Sequence, residues 1–184
     1  KKRKVRILNG AHTSMVLAAR LYGLSTVKEC LDDELVGAFL DKTLTTEIIP
    51  TLGNTDEDIS FGKAVLERFA NPFVKHQLLS IALNSVSKFK ARVLPTILEY
   101  YDANKKLPKC MCFSLAALIA FYRTDEANDG EEIMAFMKDA SIADILKKEQ
   151  YWGCDLSFLL EEVDTWSALM AEKGMEAAFR EVLK

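Results

Sequence analysis

The stretch from Cys110 to Tyr122 constrains the fold more than any other. Every position is apolar except Ser114, and no acid or base interrupts it. It is too short to cross a bilayer, which takes roughly 20 apolar residues. Pro108 stands just ahead of it, in a place that suits the opening of a helix. The segment therefore reads as a core helix, apolar all round, with no face to show water. Other elements must wrap it, and 184 residues are enough to do so within one domain.

The wrapping also reads as helical. Thr55-Asp56-Glu57-Asp58 has the form of a capping box. It opens a helix with Ile59, Ala64, Val65, Leu66 and Phe69 at near-helical period. Asn71-Pro72 has the form of an N-cap followed by a first-turn proline. A wide apolar face follows it: Phe73, Val74, Leu78, Leu79, Ala82, Leu83 and Val86. Pro95 starts or kinks a further helix that ends near Asn104. Amphipathic helices are expected over 131–140, 141–148 and 163–173, with Gly174 as a stop signal before a short last helix ending at Val182-Leu183. Gly53-Asn54 and 125–130 read as loops. Val5-Arg6-Ile7 alternates but is too short for a strand. The expected fold class is all-α, a single multi-helix domain over residues 1–184.

Several functions are disfavoured. A net charge of −3 does not suit bulk nucleic-acid binding, and no membrane association is expected. No GxGxxG or phosphate loop is present, so the domain is at most the helical half of a redox enzyme. Cys30, Cys110, Cys112 and Cys154 fall beside neither of the two histidines, His12 and His76. They read as reduced core thiols of a cytoplasmic protein rather than zinc ligands. The chain opens on Lys rather than Met and is expected to be a piece of something larger.

The chemistry is concentrated in Lys4-Val5-Arg6-Ile7-Leu8-Asn9-Gly10-Ala11-His12. An amine, an amide and an imidazole lie within nine residues. Asn9 and His12, three apart, share a face if both are helical, and the long Lys4 stem can reach over. The trio can move a proton and hold the reacting oxygen without a metal. For that, Lys4 needs burial or a neighbouring positive charge to lower its basicity, with Arg6 and Lys88 as candidates. On spacing alone, Lys4 also reads as one member of a solvated basic run, Asn9 as a helix cap, and His12 as a satisfied core histidine.

Lys-x4-Asn-x2-His, within K-x-R-[IL]-L-N-x-x-H, resembles the active-site signature of the mannitol dehydrogenase family of polyol-specific long-chain dehydrogenases. A second stretch is similar: Asn71-Pro72-Phe73-Val74, then His76 to Ser85, then Ser87-Lys88-Phe89-Lys90. The resemblance covers nearly the whole chain as that family's C-terminal, helical, substrate-binding domain. It implies Lys4 as the general acid/base, Asn9 and His12 on the substrate oxygen, and Lys88 on the polyol chain. It also implies NAD, held mainly by an N-terminal Rossmann domain absent from this sequence. The wording around Asn9 resembles the branch that reduces the sugar acid tagaturonate to altronate. Mannitol and fructuronate oxidoreduction are the alternatives within the family. Ser80 departs from the mannitol-type pattern, which has an arginine there. Lys90 or Arg92 is a substitute cation for a carboxylate, and Lys88 and Arg92, four apart, share a helical face. Outside the family, Lys1-Lys2-Arg3-Lys4-Val5 also fits a basic import signal on a helical interaction module, and a purely structural helical domain is a further reading.

Overall fold

The computed structural model describes residues 1–73 and 75–184, and among these no strand forms. A π-helical turn, Lys4–Asn9, runs without a break into α1, Gly10–Tyr22. Gly23, at φ 114°, ends α1 as a left-handed cap, a conformation glycine adopts without penalty. Then come α2, Val27–Asp32, and α3, Glu34–Lys42, each opened by a side-chain cap from Thr26 and Asp33. A second π-helical turn, Thr43–Ile48, leads into the short α4, Ile49–Thr51. The capping box forms as expected at the head of α5, Asp56–Phe69.

The helix expected from Pro72 does not form. The Asn71 side chain instead accepts from the Phe73 N–H at 2.9 Å, turning the chain rather than starting a helix. Phe73 is 92% exposed, and Val74 lies outside the described residues. The chain then runs alongside residues 25–27: the Val27 N–H donates to the His76 carbonyl and the Leu78 N–H to the Ser25 carbonyl, at 3.0 and 2.9 Å. Only one turn of helix follows, α6, Leu78–Ile81, before Asn84 adopts left-handed angles of φ 54° and ψ 44°. Asparagine tolerates that conformation, so the helical spacing of Leu78, Leu79, Ala82, Leu83 and Val86 spans a break. α7, Ser85–Arg92, starts beyond it.

The remaining helices follow the expected punctuation, apart from a short one over Glu149–Trp152 that the sequence reading does not include. They are α8, Leu94–Asn104; α9, Lys109–Tyr122; α10, Glu131–Asp139; α11, Ile142–Leu146; α12, Glu149–Trp152; α13, Leu160–Lys173; and α14, Met175–Val182. α9 is the apolar segment, and nearly every residue in it is buried. α1 and α13 pack against it, and α1 presents Ala11, Ala18 and Ala19 among its buried residues, small side chains that let backbones approach. Ser114, the one polar break, is satisfied by the Ser14 carbonyl of α1 at 2.5 Å and the Cys110 carbonyl at 3.1 Å. Cys30, Cys110 and Cys112 are buried thiols, and Cys154 is half-buried.

The head of the π turn is tied down by charge. Arg3 donates to Asp58 at 2.8 Å and Glu57 at 3.2 Å. Arg6 is buried and donates to Thr96 at 2.5 Å, Thr51 at 3.1 Å and Glu99 at 2.8 Å. The basic run is thus helical from Lys2 and anchored at Arg3.

Candidate active site

The π turn decides where Lys4 stands. In an α-helix, residues five apart sit about 140° apart round the axis. A π turn closes its hydrogen bonds five residues on, here from the Gly10 N–H back to the Val5 carbonyl. Lys4 and Asn9 therefore come to one side, and α1 adds His12 one turn further. All three line a cleft of about 340 Å³ together with Leu8, Arg68, Phe69 and His76. Asn9 has helical backbone angles and its side chain caps nothing, so its amide is not consumed by a capping role.

The imidazole is held flat. Its ring stacks on Phe69, with centroids 4.1 Å apart and planes 5° from parallel. His76 stands edge-on to it at 6.1 Å. Burial lowers the His12 pKa to about 4, and the charges of His76 and Arg92 add to the effect. The ring is neutral near pH 7. Its Nε2 atom is buried and has no hydrogen-bond partner among the described residues. An unpaired buried nitrogen costs roughly 1–3 kcal/mol, a cost that a ligand oxygen or hydroxyl relieves.

The surroundings of Lys4 differ from the expectation. It is exposed at the rim. Arg6 turns away into its own network with Thr96, Thr51 and Glu99 and is not the neighbouring charge proposed for it. Lys88 is not a lining residue either: its ammonium donates to the Ile81 carbonyl at 2.8 Å. It is half-buried, and its pKa is lowered by burial first and then by the Arg92 charge one turn on. The 88/92 pair shares a face of α7 as its spacing required. α7 comes close to the trio, since a Cβ on Gly10 would stand 3.0 Å from the Arg92 carbonyl oxygen. Glycine at position 10 is what permits that approach. Among the described residues no group of three or more His, Cys, Asp or Glu comes together in metal-binding fashion.

Three lining residues were not singled out as site members from the sequence. Phe69 reads there as an ordinary apolar position of α5, and Arg68 as a basic residue in its last turn. His76 sits on the chain segment paired with residues 25–27. Nothing in their local spacing connects them to Lys4. The link is tertiary: α5 lies beside the π turn, held by Arg3 at one end and by the Phe69–His12 stack at the other.

Fold and cleft define a class: an all-α domain with an open cleft of amine, amide and imidazole on the first turns of a core helix. The chain belongs to the mannitol dehydrogenase C-terminal domain family, whose model matches residues 1–184. It is 51% identical to the altronate oxidoreductase of Pectobacterium carotovorum over 97% of this chain. It is 42% identical to that of Yersinia enterocolitica, also over 97%. In each case it spans 42% of the relative's length. Among solved structures, Pseudomonas fluorescens mannitol 2-dehydrogenase, in ternary complex with NAD and D-mannitol, matches with a TM-score of 0.88 at 21% identity. That match covers 99% of this chain and 40% of the other. A substrate-free D-sorbitol dehydrogenase matches with a TM-score of 0.82 at 22% identity, covering 97% and 40%.

Proposed function

We propose that this chain is the substrate-binding and acid/base part of an NAD-dependent tagaturonate reductase, which interconverts D-tagaturonate and D-altronate. The observation that carries the reading is the convergence of Lys4, Asn9 and the unpaired His12 Nε2 on one cleft. Family membership and relatives named altronate oxidoreductase support it.

In this reading the substrate carbonyl oxygen sits between the three groups. The neutral His12 and the Asn9 amide hold it by hydrogen bonds, and Lys4 gives the oxygen a proton while the carbonyl carbon takes the hydride that bound NADH would supply. In the reverse direction Lys4 takes that proton back. The amine, amide and imidazole themselves polarise the carbonyl. Lys88 and Arg92, on α7, add positive field beside the cleft.

A cleft of about 340 Å³ suits a six-carbon acid, and no glycine-rich phosphate loop is present. NAD would be held by an N-terminal Rossmann domain of the same protein, which would also cover the exposed Lys4 and exclude water from it. The protein would act in the cytoplasm.

The test is NADH oxidation by the full-length enzyme with tagaturonate, fructuronate and fructose. Tagaturonate is expected to be preferred, and Lys4→Ala to lower kcat by about 10²- to 10⁴-fold. Preference for fructose would move the substrate to the hexitol side of the family. The isolated 184 residues are expected to show no turnover.

A further inference from the structure

We propose that Arg68 reads the substrate's carboxylate and so makes the cleft selective for ketohexuronates over neutral ketohexoses. The inference rests on the sugar-acid reading above and assigns the residue that makes the distinction.

Arg3 is bound to Asp58, Arg6 to Glu99, Arg20 to Glu126 and Arg180 to Glu176. Arg123 donates to the Ala140 carbonyl at 2.6 Å. Among the described residues only Arg68 and Arg92 have no hydrogen-bond or ion-pair partner, and of these two only Arg68 lines the cleft. It stands in the last turn of α5, next to the Phe69 ring that carries His12.

No acid lines the cleft. His12 is neutral, because burial has pushed its pKa to about 4. Lys4 is committed to the reacting oxygen. Among the lining residues the guanidinium of Arg68 is then the permanent charge left for a second anionic group. In a ketohexuronate the carboxylate lies at the opposite end of the carbon chain from the keto group, and in a ketohexose that end is a neutral alcohol. A planar guanidinium matches a carboxylate through two parallel hydrogen bonds, a geometry that an alcohol cannot return.

The experiment measures kcat and KM of the full-length enzyme with tagaturonate and fructose for the wild type, Arg68→Gln and Arg68→Lys. For Arg68→Gln, KM for tagaturonate should rise about 10- to 100-fold, the range for one charged hydrogen-bond pair. Its kcat should stay within a few-fold, fructose kinetics should not change, and Arg68→Lys should recover part of the loss. An unchanged tagaturonate KM overturns the assignment, as does an equal fall for both substrates or a loss confined to kcat. Failure of the sugar-acid reading is separable, since it shows in the wild type as a preference for fructose before any variant is made.

Discussion

The His12 imidazole lies parallel to the Phe69 ring, with centroids 4.1 Å apart and planes 5° from coplanar. The contact joins the first turns of α1 to the last turn of α5 and sets the plane in which Nε2 meets a ligand. It also shields one face of the imidazole from water. Phe69→Leu would remove the flat surface while keeping an apolar side chain. It is expected to cost about 1 kcal/mol of stability. The His12 pKa should move up from about 4 toward its ordinary value as water reaches the ring. Proton NMR titration of the imidazole checks this. An unchanged midpoint would mean that the burial comes from elsewhere.

The same histidine makes stability depend on pH. Its folded pKa of about 4 lies below the ordinary 6.5, so the unfolded chain binds its proton first as pH falls. The stability tied to neutral His12 is fully present above about 6.5 and is lost as pH drops toward 4. The loss is on the order of 2–3 kcal/mol across that window. Urea denaturation at pH 7 and pH 4.5 should show wild type losing more stability than His12→Gln does. Equal losses would sink the assignment.

Much of this architecture can be read from the sequence because its signals are local. The capping box at Thr55, the prolines at 95 and 108, and Gly174 each mark a helix boundary through backbone chemistry within a few residues. The Asn71-Pro72 signal fails because an Asn side chain can bond to the backbone two residues on as readily as it can cap a helix. At the site, the Lys4–Asn9–His12 spacing is visible in the sequence, but the π turn that aligns it is not, since no local spacing rule marks it and the Arg6 side chain within it bonds to residues far along the chain. Arg68 and His76 reach the cleft only through the packing of α5 and of residues 25–27 against their neighbours, and no spacing rule records that.

Arg6 ties the π turn to α8 and the end of α4. It is buried and bonded to Thr96, Thr51 and Glu99, and it is not among the residues that line the cleft. Arg6→Met keeps most of the volume but leaves Thr96 and Glu99 without their donor. The expected cost is about 2–3 kcal/mol, below the range for a fully buried pair because Glu99 is half-exposed. Lys4 should also lose its fixed bearing on Asn9, so kcat of the full-length enzyme is expected to fall at least tenfold. Loss of stability with kcat intact would show that the turn holds its shape without Arg6.

Glu47 tests the support beneath the site. Pro108 gives α9 no side-chain cap. Instead Glu47, buried in the second π turn, accepts from the Cys110 and Met111 N–H groups at 2.8 and 3.0 Å. Glu47→Gln offers one acceptor oxygen to two donors and turns an NH₂ toward the other. The expected destabilisation is about 1–3 kcal/mol. Its pH dependence has a definite sign. Burial raises the Glu47 pKa, with the two backbone bonds opposing it, so the folded protein binds this proton more readily than the unfolded chain. The Glu47 contribution is therefore greatest below the ordinary carboxylate range and declines as pH rises through the raised folded value. Wild type and Glu47→Gln should differ more at pH 4 than at pH 7 in denaturant unfolding. A gap that widens with pH would mean that the fold prefers the ionised carboxylate. Because α1 packs directly on α9, weakening this cap should also loosen the helix that presents Asn9 and His12, and turnover of the full-length enzyme should become more heat-sensitive in step with the lost stability.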